Sequence, residues 1–211
     1  MQPSSPSYPI QFDVDYPDRP RNRVTALFRL ILAIPILIVL ATIGAVGSDT
    51  DASDGALCAG TAAGILFIPP LLLIVFRQKY PRWWFDFNIA YLHFHNRVIT
   101  YLLLLRDEYP SSDEEQAVHL DVPYPEVRAD LNRWLPLVKW FLAIPHYIVL
   151  ILLDIAVVLA AIATWFAIVV TGRHPRRLFN FTVGVMRWHN RVIGYAFALV
   201  TDKYPPFRLS V

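Results

Sequence analysis

The chain has 211 residues, 55% apolar, 17% charged and 14% aromatic, with a formal charge of only +2 and a mean hydropathy of +0.41. An average soluble domain carries roughly 25% charged residues, so the composition disfavours a disordered chain, a strongly basic nucleic-acid binder and an ordinary soluble enzyme. All 19 Lys and Arg fall outside two apolar blocks, residues 31–76 and 140–172, the partition expected when positive charge is retained on the cytoplasmic side of a membrane.

Residues 1–20 are polar and Pro-rich, unlike the start of a signal peptide. Residues 19–47 imitate one, but their apolar run is longer than a typical signal core and a related segment recurs later. Ile10, Phe12, Val14 and Tyr16 alternate with polar residues, the pattern of a half-buried strand, and Tyr16-Pro17 is a natural stop. Residues 27–46 and 56–76 each reach the ~20 apolar residues of a spanning helix. Between them lies residues 47–55, small, acidic and turn-rich, which predicts a hairpin with its tip away from the basic residues. Pro35 and Pro69-Pro70 fall inside these spans as kinks, which packed neighbours tolerate.

Residues 84–105 have a different character. On a helix, Asp86, Ala90, His93, Arg97 and Thr100 form one polar stripe on an otherwise apolar surface, which suits the membrane interface. A third span would bury Arg97 at a cost of roughly 2.5–3.5 kcal/mol. Val118, Leu120, Val122 and Tyr124 alternate as a second strand. Residues 134–171 are long enough for two short spans, and we read them as a tight hairpin tipped near Asp154. A single helix there would set its flanking basic residues on opposite sides. Residues 178–200 repeat the interfacial pattern, with Asn180, Gly184, Arg187, Arg191 and Gly194 on the stripe, and Phe207, Leu209 and Val211 alternate as a third strand. Trp83, Trp84, Trp134, Trp140 and Trp188 fall near the predicted cytoplasmic boundary, where aromatic belts form. Cys58 is the single cysteine, so no intramolecular disulfide is possible.

The chain repeats itself. Leu32-Ala33-Ile34-Pro35 recurs as Leu142-Ala143-Ile144-Pro145, and His95-Asn96-Arg97-Val98-Ile99 as His189-Asn190-Arg191-Val192-Ile193. Phe85 and Phe87 stand 94 residues before Phe179 and Phe181, and Asp107-Glu108-Tyr109-Pro110 resembles Asp202-Lys203-Tyr204-Pro205 after one insertion. We therefore expect a mainly α membrane protein of two parallel repeats, residues 1–110 and 111–211. Each would hold a transmembrane hairpin (27–76, 134–171) and an amphipathic interfacial helix (84–105, 178–200), with a small cytoplasmic β-sheet. Both termini would be cytoplasmic.

The order of Tyr-Pro, the Leu-Ala-Ile-Pro helix, Arg187-Trp188-His189-Asn190-Arg191-Val192 and Thr201-Asp202-Lys203-Tyr204-Pro205-Pro206-Phe207 resembles a bacterial family of duplicated membrane proteins. That family is known only as a domain of unknown function (number four-three-eight-nine). The resemblance runs over about residues 15–207 and is clearest over 179–207. Leu92-His93-Phe94-His95 departs from Met186-Arg187-Trp188-His189 at the matching place. The resemblance implies location in the bacterial inner membrane and no particular activity.

The candidate functional residues are His95, Asn96, Arg97, His189, Asn190 and Arg191. Two related histidines could hold a metal or haem, yet no Cys-x-x-Cys-His, same-helix His-x-x-x-His or carboxylate cluster accompanies them. We read these residues as lipid or partner contacts and expect no cofactor or metal. The guanidinium forks of Arg97 and Arg191 suit phosphate; alternatively they pair with Asp107 and Asp202. No catalytic motif is present, so the expectation is a non-enzymatic lipid-binding scaffold or accessory subunit. Its partners would be lipids, anionic ones among them, a larger membrane complex or a second copy, and not nucleic acid. A small transporter or channel, and a haem-carrying or lipid-modifying enzyme, are the alternatives.

Overall fold

The computed structural model describes residues 8–17, 23–45, 67–111, 114 and 116–210. The first two alternating segments form β1 (Gln11–Val14) and β2 (Val118–Asp121), paired antiparallel with Phe12 opposite Leu120 and Val14 opposite Val118. Successive side chains point to opposite faces of a strand, so these four apolar residues share one face, and all are buried. The third alternation does not become a strand. The carbonyls of Arg208, Leu209 and Ser210, which a sheet partner would use, accept instead from Arg187 and Arg191.

Helix α1 (Arg23–Ala45) covers the first expected span and carries Pro35 inside it. The expected turn at 47–55 lies outside the described residues, and the second arm is described as α2 (Phe67–Arg77). Next come α3 (Arg82–Leu102), the short α4 (Val127–Asp130), α5 (Pro136–Leu142), α6 (Ile144–Thr171) and α7 (Arg176–Ala196).

Helix α6 corrects the expected second hairpin. It runs unbroken for 28 residues through Asp154. No Gly or Pro stands between Pro145 and Gly172, so the segment lacks residues that readily take the backbone angles of a tight turn. The helix stops at Gly172, whose φ of 71° makes it a left-handed cap. Asp154 is no turn tip, because its carboxylate lies 3.4 Å from His189 on α7. At 1.5 Å per residue α6 is about 42 Å long, against a hydrocarbon core of about 30 Å.

Helices α3 and α7 cover the segments 84–105 and 178–200 that were expected to be helical, displaced by two to four residues at their ends. Each begins after a proline, Pro81 or Pro175, which removes a donor where none is needed. Each is followed by a leucine at positive φ, Leu104 (62°) or Leu199 (55°). The amide of Leu105 then bonds Thr100 O, and that of Val200 bonds Gly194 O one residue further back. The insertion read from the sequence lies in this turn.

The apolar faces of α3 and α7 point in two directions. Phe85, Phe179, Val183 and Met186 join the inward residues of β1 and β2. On the other side Trp188, Val192 and Tyr195 meet Ala143 and Leu150, while Phe94, Val98 and Tyr101 meet Ala33 and Ile36 of α1. Ala26 of α1 and Ile168 of α6 close on Leu104. The outer faces of α1 and α6 stay uncovered: Leu30 is 74% exposed, Leu152 63% and Val170 71%. Both helices are long and apolar enough to cross a membrane.

Strand β1 sits so close to α7 that a Cβ on Gly194 would stand 1.9 Å from Ile10 Cδ1. Gly194→Ala is expected to cost about 1–3 kcal/mol by overpacking. Ile10→Ala in the same chain should absorb part of that loss, so the double variant should be more stable in detergent unfolding than the two single losses add up to. Strict additivity would mean that the strand does not dock on the helix in this way.

Candidate functional site

The two His-Asn-Arg segments meet where α3 crosses α7. Asn96 Nδ2 donates to Asn190 Oδ1 at 2.7 Å, and Asn190 Nδ2 donates to Asn96 Oδ1 at 2.9 Å. The second N–H of each amide goes to the carbonyl four residues back, Leu92 O or Met186 O, both at 2.9 Å. Both side chains are buried. All four amide N–H groups are thereby satisfied, which a buried amide requires. These two asparagines face each other across the crossing and do not face lipid.

The alternative in which Arg97 and Arg191 pair with Asp107 and Asp202 is not what the structure shows. Arg29 takes Asp107, and Lys139 takes Asp202 at 2.7 Å. Arg29 and Lys139 each stand three residues before Leu-Ala-Ile-Pro. Their surroundings also correspond. Arg29 donates to Tyr101 O and lies over the Tyr101 ring, whereas Lys139 donates to Thr201 O and lies over the Tyr195 ring. A cation three residues upstream of each apolar motif was the available signal, and sequence reasoning passed over it.

The polar stripe of α7 is turned inward, towards β1 and the C-terminal segment. Arg187 donates from Nε to Phe12 O at 2.8 Å and from its two terminal nitrogens to Leu209 O and Asp13. Arg191 donates to Arg208 O at 3.2 Å and Ser210 O at 2.9 Å. On α3, Arg97 donates to Ser111 O at 2.7 Å. His93 takes the place that Arg187 has on α7, and both residues line one cleft. The cleft, about 810 Å³, lies between the β1–β2 pair and α3 and α7, with His93, Arg97, Arg187 and Arg191 on its helical wall. Burial, then the nearby Arg97, lowers the pKa of His93. Burial followed by Arg208 and Arg187 lowers that of Arg191.

His95 and His189 lie on the opposite side of the crossing from the cleft. His189 faces Asp154 of α6, and burial followed by His189 lowers the pKa of His95. Among the described residues, no group of three or more His, Cys, Asp or Glu is arranged to hold a metal ion. Trp188 is buried and its indole N–H donates to His146 Nδ1 at 3.0 Å, so it does not belong to a boundary belt. Trp83 and Trp134 are exposed. Phe207 stacks on the His146 ring at 4.0 Å. At the matching positions Ile36 and Phe94 make an apolar contact.

The fold and site define a mainly helical protein with two apolar helices long enough to cross a membrane and a two-stranded sheet packed against a helical crossing. Residues 134–208 match the family described as "Domain of unknown function (DUF4389)". The match spans α5 to the C-terminal segment, a shorter stretch than the resemblance read from the sequence. No curated protein and no solved structure matches the chain.

Proposed function

We propose that the chain is a duplicated, non-enzymatic protein of the bacterial cytoplasmic membrane, a lipid-binding scaffold or accessory subunit of a larger assembly. The observation that carries this reading is the separation of two surfaces. The uncovered apolar faces of α1 and α6 lie on one side of α3 and α7, and the charged strands lie on the other. The reciprocal Asn96–Asn190 bond and the paired Arg29–Asp107 and Lys139–Asp202 contacts support two copies related by a pseudo-two-fold axis along the membrane normal.

Both terminal segments and the segment between the copies pack together, through Tyr8 Oη donating to Lys203 O at 3.0 Å and Asp15 N–H donating to Ala117 O at 3.0 Å. That contact favours one common side, which the basic flanks make cytoplasmic. One end of α6 packs on the end of α7 and the other beside the end of α3. We therefore place α6 along the cytoplasmic leaflet, where Lys139 and Arg173 stay on the same side.

Single cysteines at Ser53, Arg128 and Arg173, in a chain with Cys58→Ser, test the arrangement. Ser53→Cys should react with an impermeant reagent from outside the cell, and the other two only after permeabilisation. Reaction of Arg173→Cys from outside would mean that α6 crosses the membrane. Loss of the protein from membranes in alkaline carbonate would overturn the integral reading altogether. Gentle-detergent purification followed by mass spectrometry tests the scaffold role, which requires a stoichiometric membrane subunit or retained lipid.

A further inference from the structure

We propose that the cleft between the β1–β2 pair and the α3–α7 crossing binds a soluble organic phosphate, with Arg97 and Arg191 as the groups that hold its phosphate. Most of the charged groups that line the cleft are already paired, Asp121 at its edge aside. Arg106 is paired with Glu108, Arg187 with Asp13, and His119 faces Asp15. Asp13, Asp15 and Glu108 all sit at the rim, with side chains 69%, 64% and 45% exposed. Arg97 and Arg191 differ from these cations. Among the described residues their terminal nitrogens meet only main-chain carbonyls, and neither has a carboxylate partner.

The Nε–H of Arg97 and that of Arg191 are both buried and have no acceptor among the described residues. Arg191 is only 2% exposed. A cation withdrawn from water normally keeps an anion or a full set of acceptors, because neutral carbonyls replace its hydration only in part. Two guanidinium groups at matching positions line one cavity, where they supply the positive charge that a tetrahedral oxyanion requires. Guanidinium forks match the oxygen spacing of phosphate.

The size and position of the cleft choose between sources of phosphate. Its volume of about 810 Å³ falls within the range of small-molecule pockets, roughly 300–1,000 Å³, and exceeds what a bare phosphate fills. Ile10, Phe12, Val118 and Leu120 also line it, and their small exposed edges give an organic body limited apolar contact. It opens on the strand side, away from the apolar outer faces of α1 and α6. A water-borne phosphate ester therefore fits better than a lipid headgroup. The choice of a water-borne source rests on the proposed reading that the outer faces of α1 and α6 lie in lipid.

The test uses the full chain in a phospholipid-free detergent. Isothermal titration with inorganic phosphate and with glycerol 3-phosphate should show saturable binding, tighter for the ester. R97Q/R191Q should weaken it by about tenfold or more, as expected when charge-assisted bonds are lost. R176Q/R177Q removes the same charge from an exposed first turn of α7 and should leave the affinity unchanged. Should the double variant not fold, R97Q alone carries the test, since Arg97 is less buried, and a native circular-dichroism spectrum certifies the protein used. Absence of binding of either probe to the unaltered chain, or equal weakening by both pairs of changes, overturns the proposal. Retention of phosphatidylglycerol in nanodiscs that depends on Arg97 and Arg191, with no binding of the free ester, overturns the soluble source and assigns the phosphate to a headgroup.

Discussion

Lys139→Met is expected to cost about 3 kcal/mol of unfolding free energy, the lower end of the 3–5 kcal/mol typical for breaking a buried ion pair. Lys139 is fully buried, with its ammonium 2.7 Å from Asp202 and 2.8 Å from Thr201 O. Met fills nearly the same volume, so the change removes the charge and little packing. Asp202 is then left without its cation but keeps the Asn132 N–H at 2.6 Å and some contact with water, which holds the loss near the lower end. Asp202→Asn should cost a similar amount, because it strands the ammonium. The double change should recover part of the sum, since neither charge is then left alone. Lys139→Arg should be milder, as Arg29 already fills the matching position beside Asp107. Unfolding in detergent, followed for the four variants, checks the set. A Lys139→Met loss within about 1 kcal/mol of zero would put this pair with exposed surface bridges.

The elements that were legible in the sequence are those whose signal is periodic or repeated. Alternation identified β1 and β2, and the polar stripe located α3 and α7 to within a turn, because burial of one face imposes those periods. The Asn96–Asn190 contact joins the matching members of the repeated His-Asn-Arg segment, so the sequence named both partners without showing that they meet. The path of α6 was misread because the charge rule was given more weight than local chemistry. A charged residue within an apolar run resembles a turn only where Gly or Pro accompanies it, and Asp154 has neither. The C-terminal alternation was misread for another reason. A strand needs a neighbour with free main-chain groups, and the groups available to residues 208–210 belong to Arg187 and Arg191. No one-dimensional pattern shows that a buried arginine will take a tail's carbonyls.

The departure between Leu92-His93-Phe94-His95 and Met186-Arg187-Trp188-His189 acquires a physical meaning in the fold. Arg187 is long enough to join Phe12 O, Asp13 and Leu209 O, so β1 and the C-terminal segment close over α7. His93 is shorter, and it lines the cleft beside Arg97, Arg187 and Arg191. The next position behaves in the same way: Trp188 donates to His146, whereas Phe94 packs on Ile36. At both positions the side chain that departs from its counterpart also takes a different set of partners.

The fold depends on the crossing of α3 and α7, and Asn190→Leu should damage it more than its small size suggests. The change removes the acceptor for one Asn96 N–H and the donor for Asn96 Oδ1, leaving a buried amide with only its bond to Leu92 O. An unsatisfied buried polar group costs about 1–3 kcal/mol, and the branched side chain adds strain in a crossing built around planar amides. Asn96→Leu should cost a comparable amount for the same reason. The decisive chain is the double variant. Replacing both partners of a buried hydrogen bond by apolar groups of similar shape can be nearly neutral, so Asn96→Leu with Asn190→Leu should be more stable than either single change. Unfolding of the four proteins in one detergent measures the coupling directly, and its sign is the diagnostic. Additive losses would mean that the two amides meet without depending on each other. A large positive coupling would show that the reciprocal bond sets the register of the crossing, and with it the spacing of Arg97 and Arg191 across the cleft.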